Sequence, residues 1–340
     1  MFKTIFALCV FLASSPMVQG APVLNGFIIG NLTATAGDVE GNLLVSGNFS
    51  TSGTFGGIAI PVVGFPLPAA TVDTLIVGGN LSTTSAWGMA GNAVYGGTLT
   101  GGPSHNTGTT RQQSPIQIDS NANAVTSGGT TIAALAQQWR DTSIAWSQFA
   151  NSAGATISYS GGISLTGTNS VLNVFNLDSG HFNTASFLGI DIDVPFGATV
   201  IVNIPDTVVS VPSGAVFLNG ASDINVCAAN KNLPICSQTQ RVIFNFFNAT
   251  GFASAQTGWN GSIIAPFTTS ATLTGGGVNG AGVFGGDVTQ QGGWEFHNFP
   301  LQSDLPSPPF SEVPEPGSLL LCGAGLACLI ARCMRAATAR

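Results

Sequence analysis

A chain of 340 residues is long enough for one large domain or two ordinary ones, and with 44% apolar residues it buries a core instead of staying disordered. Only 7% of it is charged while 45 residues are glycine, so its surface is built from Ser, Thr, Asn and Gly. Between Ala21 and Glu312 four basic residues (Arg111, Arg140, Lys231, Arg241) stand against fourteen acidic ones, a net −10 with neutral histidines. That excludes nucleic acid as a partner, because phosphate binding needs clustered Lys or Arg.

The chain begins MFKTIFALCVFLASSPMVQGAPVL, with one lysine, an apolar stretch from Ile5 to Ala13 and small or modest residues at Val18 and Gly20. This is the pattern of a secretory signal peptide, residues 1–20, cut near Gly20. Export leaves Cys227 and Cys236 as the two cysteines of the body, flanking the polar stretch AANKNLPI. In an oxidising compartment they are expected to close a small loop as a disulfide, contributing about 2–3 kcal/mol by chain entropy. Two free thiols are the alternative, and a metal site would need more ligands than this loop offers.

The body, residues 21–302, repeats short apolar runs with glycine-rich breaks. Gly-Asn-apolar-Ser/Thr occurs at Gly30–Thr33, Gly47–Ser50 and Gly79–Ser82, which suggests one reused turn-plus-strand unit. Strands of three to six residues with Gly or Asn corners suit a β-solenoid, in which each coil stacks its apolar side chains on the next; a sandwich is the alternative. One segment breaks the pattern. In TTIAALAQQWRDTSIAWSQFA, Ile132, Leu135, Trp139, Trp146 and Phe149 recur at helical spacing, predicting an amphipathic helix over about 131–150 capped by Thr130 or Thr131, with Gly154 after its end. Its aromatic stripe is expected to pack on the flank of the solenoid. SVLNVFNL, ATVIVNIPDTVVSVPSGAVFLNG and RVIFNFFNATGF then read as buried strands.

Residues 303–316 form a proline-rich, semi-extended spacer. Residues 317–331 carry no charge, and as a helix they reach about 22 Å against a hydrocarbon core of about 30 Å, a short transmembrane span. Arg332, Arg335 and Arg340 follow in the basic stretch 332–340 and hold that end in the cytoplasm, so the body faces out. Val-Pro-Glu-Pro, an apolar helix and a terminal basic cluster together resemble the PEP-CTERM sorting signal of exported proteins of Gram-negative bacteria. The resemblance implies that an exosortase-type membrane enzyme recognises Pro314, Glu315 and Pro316 and removes the tail.

The body also resembles the choice-of-anchor A domain, from about Asn25 to Leu301. The resemblance is carried by FIIGNLTATAGDVEGNLLVSGNF, VFNLDSG, VPFGATVIVNI, VIFNFFNATGF, WNGSIIAPF and, most specifically, GAGVFGGDVTQQGGWEFHNFPL. It implies an adhesive β-helix without catalytic residues. The cysteine loop and a long polar insertion from Gly101 to Thr130 depart from the family's pattern.

Several constellations have a chemical reading and a plainer one. GGGVNG and GAGVFG satisfy G-x-G-x-x-G, but GDVTQQGGW after them is no helix, and with Lys3 and Lys231 as the only lysines a P-loop is excluded. Asp178, Ser179 and His181 in DSGHF are neighbours along the chain, which does not line up base and nucleophile. Asp191 and Asp193 alternate with aliphatics and so project from one face; solvated charge is the plain reading, with Ca²⁺ binding or glycoside cleavage as the chemical ones. Trp294, Glu295 and His297 in WEFHNF are expected to cap the last coil. Asn31, Asn48, Asn80, Asn248 and Asn260 lie in N-x-S/T sequons, and coil corners explain them better than glycans.

The fold expected is mainly β: a parallel β-helix or solenoid with one flanking amphipathic α-helix, an N-terminal signal helix and a C-terminal transmembrane helix. No catalytic, cofactor-binding or metal residues are assigned. The expected function is a non-enzymatic adhesion module of the cell surface or biofilm matrix, anchored in the membrane until sorted, with extracellular polysaccharide or cell surface as partner. A polysaccharide-cleaving enzyme using Asp191 and Asp193 is the rival reading, and ice binding through stacked Thr268, Thr269, Thr272 and Thr274 a third.

Overall fold

The computed structural model describes residues 24–60, 67–119, 124–182, 189–220, 227, 233–302 and 305. The chain divides into two units after Pro306, and all described residues belong to the first. The signal peptide, the sorting motif Pro314–Pro316, the apolar span 317–331 and the three arginines lie outside them. Among the described residues no helix is long and apolar enough to cross a membrane.

The body is mainly β, with parallel sheets and two helices among the described residues: α1 (Ile132–Ser147) and α2 (Pro234–Thr239). The coils lay their strands on three faces. One face is a ladder of ten parallel strands in the spatial order Thr110–Gln112, Asn92–Tyr95, Asp73–Val77, Leu43–Val45, Gly26–Ile28, Gly282–Phe284, Ser262–Ala265, Val242–Asn245, Thr199–Asn203, Leu172–Asn176. That order is not chain order. From Gly26 the chain winds outward to Gln112, and beyond α1 it starts again at the far end with Leu172–Asn176. It then winds back until Gly282–Phe284 lies beside Gly26–Ile28, Phe27 opposite Val283.

The sequence explains why this face is two-sided. Its strands are continuous apolar runs such as LLV and TVIVN, as in parallel sheets buried on both sides. Successive residues alternate between two cores. Val45, Val77, Val202 and Phe244 point into the coil interior. Phe27, Leu44, Ile76, Ile201, Ile243 and Ile264 point outward and are covered by Ile132, Leu135, Trp139 and Trp146 of α1.

Thr131 caps α1, its hydroxyl accepting from the Ala134 N–H at 3.1 Å. The helix ends without a glycine cap. Instead Asn176, Asn203 and Asn245, stacked in register on neighbouring strands, donate to the carbonyls of Phe149, Trp146 and Ser143 at 2.8 Å each. The sheet thus supplies side-chain donors to carbonyls along and just beyond the last turn, which fixes the helix along it.

One expectation, a single flanking helix, needs correction. A second helix, α2, follows Leu233, with Pro234 in its first turn where the missing N–H costs nothing. It carries Cys236, which is joined to Cys227 by a disulfide with Cα atoms 5.4 Å apart. The polar stretch Gly101–Thr130, which departs from the family's pattern in sequence, joins the coil in its described residues. It supplies strands Ser104–His105 and Thr110–Gln112 and a hairpin of Gln117–Ile118 with Thr130–Thr131 that leads into α1. Its strands are two or three residues long and largely polar, so they carry no apolar pattern. Asp73 ties it down: Arg111 grips the carboxylate with both terminal nitrogens at 2.7 and 2.6 Å, and Val125 N–H donates to it at 2.7 Å.

The Cys227–Cys236 link closes a nine-residue separation next to the core. Chain entropy gives such a loop about 2–3 kcal/mol. Cys227→Ala/Cys236→Ala is therefore expected to lower the urea midpoint without changing the slope of the transition. An unchanged midpoint would remove the link from the stability of the body.

Candidate functional site: an outward row of hydroxyls

The second face is the one the repeated Gly-Asn-apolar-Ser/Thr unit builds. Leu32, Phe49 and Leu81 are in register and point inward, and so do Ala34, Thr51 and Thr83. The residue between them points outward. Register pairs run Thr100–Ser82–Ser50–Thr33–Thr289–Thr272–Ala253–Ser210, so seven of eight adjacent strands place a hydroxyl in one row. Neighbours in such a row are about 4.8 Å apart. Thr33 and Ser50 hydroxyls lie 3.3 Å apart, and Thr33, Thr100 and Thr272 are exposed. A shorter second row holds Thr274 and Gln291, joined at 3.2 Å.

The corner beside this face is a ladder of side chains. Asn31 N–H donates to Asp287 Oδ1 at 2.9 Å, Asn48 N–H to Asn31 Oδ1 at 2.7 Å, and the N–H groups of Asn80 and Thr98 to Asn48 and Asn80 at 2.8 Å each. Asn31, Asn48 and Asn80 are thus corner residues with their carbonyl oxygens occupied. A glycine precedes each one, and a Cβ there would meet the next coil: at Gly30 it would lie 2.4 Å from the Gly286 carbonyl carbon. Asn248 donates to the Pro205 carbonyl at 3.4 Å, and Asn260 is buried and donates to the Val216 carbonyl at 2.7 Å.

The four threonines read from the sequence do not act together. Thr272 and Thr274 belong to the rows. Thr268 is buried, donating to the Ala265 carbonyl at 3.0 Å and accepting from Gly285 N–H at 2.9 Å, and Thr269 sits at the corner, donating to the Thr250 carbonyl at 3.0 Å. Thr33, Ser50, Ser82, Thr100, Thr289 and Ser210 were missed. The signal was present: Gly286–Asp287–Val288–Thr289 and Gly97–Thr98–Leu99–Thr100 are further copies of the repeated unit with the asparagine replaced.

The third face carries the carboxylates. Asp191 and Asp193 are exposed there, in register with Ser164 and Thr166 on one side, and Asp191 with Phe217 on the other. Trp294, Glu295 and His297 do not cap an end. Glu295–His297 pairs with Gly277–Asn279 and also with the first coil, Glu295 opposite Asp38 and Phe296 opposite Val39, so this coil lies in the middle of the stack. Bulky side chains read alike at an end and at an internal seam, because both positions bury them.

At that seam Asp38, Glu40 and Glu295 crowd together with His297. Burial first, then the charges of Glu295 and Glu40, push the Asp38 carboxyl up to about 7, with His297 acting the other way. Its Oδ1 is buried without a hydrogen-bond partner. Burial works against protonation of His297, but the hydrogen bond of its Nε2 to Glu295 at 3.0 Å and the charges of Glu40, Glu295 and Asp38 outweigh that and raise it. Its Nδ1 lies 2.8 Å from the side-chain Oδ1 of Asn279.

DSGHF is a turn, not a catalytic array. His181 stacks flat on Tyr159, ring centroids 3.7 Å apart, while Asp178 and Ser179 are exposed. Both G-x-G-x-x-G stretches lie in or between strands Ser270–Asn279 and Gly282–Phe284, and the next element is the strand Asp287–Gln291.

Residues 20–298 match the family described as "Putative Ice-binding-like adhesive domain". The chain belongs to this ice-binding-like adhesive family. Residues 312–336 match the PEP-CTERM protein-sorting motif, which implies recognition by an exosortase-type enzyme, export and surface association. Among solved structures, an ice-binding protein from the Antarctic ascomycete Antarctomyces psychrotrophicus is similar at 12% identity and a TM-score of 0.29, covering 81% of this chain and 94% of its own. An ice binding protein from an Antarctic Biological Consortium is similar at 14% identity and a TM-score of 0.32, covering 82% and 90%. At those scores the likeness carries no argument. No curated protein matches the chain. Among the described residues of this domain, the hydroxyl row is an extended outward pattern that the fold repeats from coil to coil.

Proposed function

We propose that this protein is a non-catalytic adhesion module of the cell surface or extracellular matrix, and that the hydroxyl row is its binding face. The observation that carries this reading is the row itself: seven hydroxyls on eight adjacent strands, held in a rigid register on a sheet whose inner side is core. Each hydroxyl both donates and accepts, so the row suits a partner that repeats hydroxyls at regular intervals, such as a matrix polysaccharide. Single contacts are weak, and affinity comes from many made at once without ordering cost. Resemblance to choice-of-anchor A domains supports the same reading. The sorting signal supplies the address: an exosortase-type enzyme acts at Pro314–Pro316 after Arg332, Arg335 and Arg340 have held the tail at the membrane.

Thr33→Tyr/Thr272→Tyr places two rings across the row at exposed positions. Binding of the exported protein to extracellular polysaccharide is expected to fall at least about tenfold, a loss of about 1.4 kcal/mol, with Tm unchanged. Binding equal to that of the unsubstituted protein would remove the row from the function. A second reading, ice binding, is favoured by the same regularly spaced hydroxyls; thermal hysteresis of the pure protein, lost in the same variant, would support it. For cleavage, Asp191 and Asp193 project from the same face of one strand, their Cα atoms about 6.6 Å apart, and glycosidases use such a pair of carboxylates. They are exposed on an open sheet face. Oligosaccharide release that disappears in Asp191→Asn/Asp193→Asn would establish it.

A further inference from the structure

On the outer side of the ten-stranded ladder, helix α1 does not close completely on the sheet. Its first half leaves a cleft of about 430 Å³, a size that takes a small organic molecule. Ile29 and Gly78, which follow strands Gly26–Ile28 and Asp73–Val77, line it together with Ile116 and, from the helix, Ile132, Ala133 and Arg140. Ile132 stands over Gly78: a Cβ on that glycine would lie 3.3 Å from Ile132 Cδ1. Arg140, eight residues or about 12 Å further along the helix, reaches the other way. Its Nε donates at 3.3 Å to the carbonyl of Pro266, which follows strand Ser262–Ala265 on the far side of Gly26–Ile28 in the ladder. The cleft therefore has an aliphatic end and a cationic end.

Arg140 is a cation without a counter-charge. Its two terminal nitrogens have no acceptor among the described residues, whereas Arg111 is gripped by Asp73. The bond to Pro266 orients the guanidinium through Nε and leaves the fork of terminal N–H groups, which matches a carboxylate in bidentate geometry. One cation compensates one negative charge, and a second would stand unpaired against apolar walls. We propose that this cleft binds a small amphiphilic monocarboxylate, of which a short fatty acid is the type. The carboxylate sits on Arg140, and the hydrocarbon chain lies along Ile29, Ile116 and Ile132, where it leaves water. The site is separate from the hydroxyl row, which is built on the other large sheet. It gives the exported body a ligand of a different class from polysaccharide.

Octanoate is the probe, and octan-1-ol is the control with the same chain and no charge. Calorimetric titration of the full chain is expected to show a single saturable octanoate site, at least about tenfold tighter than octanol. Arg140→Gln should weaken octanoate by at least about tenfold and leave octanol unchanged, and Arg140→Lys, which keeps the charge without the fork, should restore part of the loss. Ala133 is exposed at the rim, so Ala133→Trp should block both ligands with Tm unchanged, and it decides should Arg140→Gln fail to fold. Thr33→Tyr/Thr272→Tyr should bind octanoate normally, which separates failure of the cleft from failure of the row. Absence of octanoate binding overturns the site. So does octanol binding as tight as octanoate, or octanoate binding that survives Arg140→Gln or Ala133→Trp.

Discussion

Gly37→Ala is expected to lower the stability of the body by about 3–4 kcal/mol and its Tm by about 10 °C. Gly37 sits on the first coil at φ +84°, and a Cβ there would lie 1.8 Å from the Trp294 carbonyl oxygen of the last coil. Two costs add: a left-handed backbone that alanine resists, and a collision with main chain that has no rotamer to give way. Gly161→Ala separates them. Gly161 has φ +73° with open space around its would-be Cβ, so only the backbone term applies, about 1 kcal/mol. If both variants unfold at the same urea concentration, first and last coils do not touch as described.

The second large effect is on pH dependence, and it arises at the same seam. The Asp38 carboxyl keeps its proton to about 7 in the fold but releases it near 3.8 in the unfolded chain. Between these values the unfolded state sheds a proton that the folded state holds, so stability falls as pH rises from about 4 to about 7 and then levels. His297 acts in the same direction. Its raised folded value gives stability that is present below 6.5 and lost as pH climbs past it. The groups facing Asp38 are Glu295 on the paired strand, Glu40 on its own segment and His297 beyond Glu295.

Urea unfolding is expected to show greater stability at pH 5 than at pH 8, by on the order of 3 kcal/mol. Asp38→Asn keeps the shape of the protonated acid without its charge. It should flatten most of that slope and raise stability at pH 8. A slope unchanged in Asp38→Asn would place the pH dependence elsewhere.

Much of the fold was legible in the sequence because its local units are strict. Gly-Asn-apolar-Ser/Thr names a corner, an inward side chain and an outward one in four residues, and the structure stacks Gly30–Thr33, Gly47–Ser50 and Gly79–Ser82 directly on one another. Helix α1 was legible from Ile132, Leu135, Trp139 and Trp146 for the same reason: one short-range period decides one element.

Spatial order was not legible. Periodicity states that a coil stacks, not on which coil, and Gly282–Phe284 fits Gly26–Ile28 as well as it fits any neighbour in sequence. That ambiguity made Trp294, Glu295 and His297 look terminal when they close an internal seam. It also hid the hydroxyl row, which passes from Thr33 to Thr289 only across that seam. Aspartate at 287 replaces the corner asparagine and donates nothing. It accepts from both the Asn31 N–H and its carboxamide at 2.9 Å, a role that makes sense only once the two coils are neighbours.

The whole account depends on Thr33 and Thr289 being neighbours, 256 residues apart in the chain yet paired on adjacent strands. Thr33→Cys/Thr289→Cys tests this directly, because a disulfide needs Cα atoms about 4.4–6.8 Å apart. Mild oxidation of the folded protein, read by mass spectrometry of its peptides, is expected to yield an intramolecular 33–289 crosslink with Tm kept or raised. Reduced thiols, or crosslinks only between molecules, would contradict the seam and with it the continuous hydroxyl row.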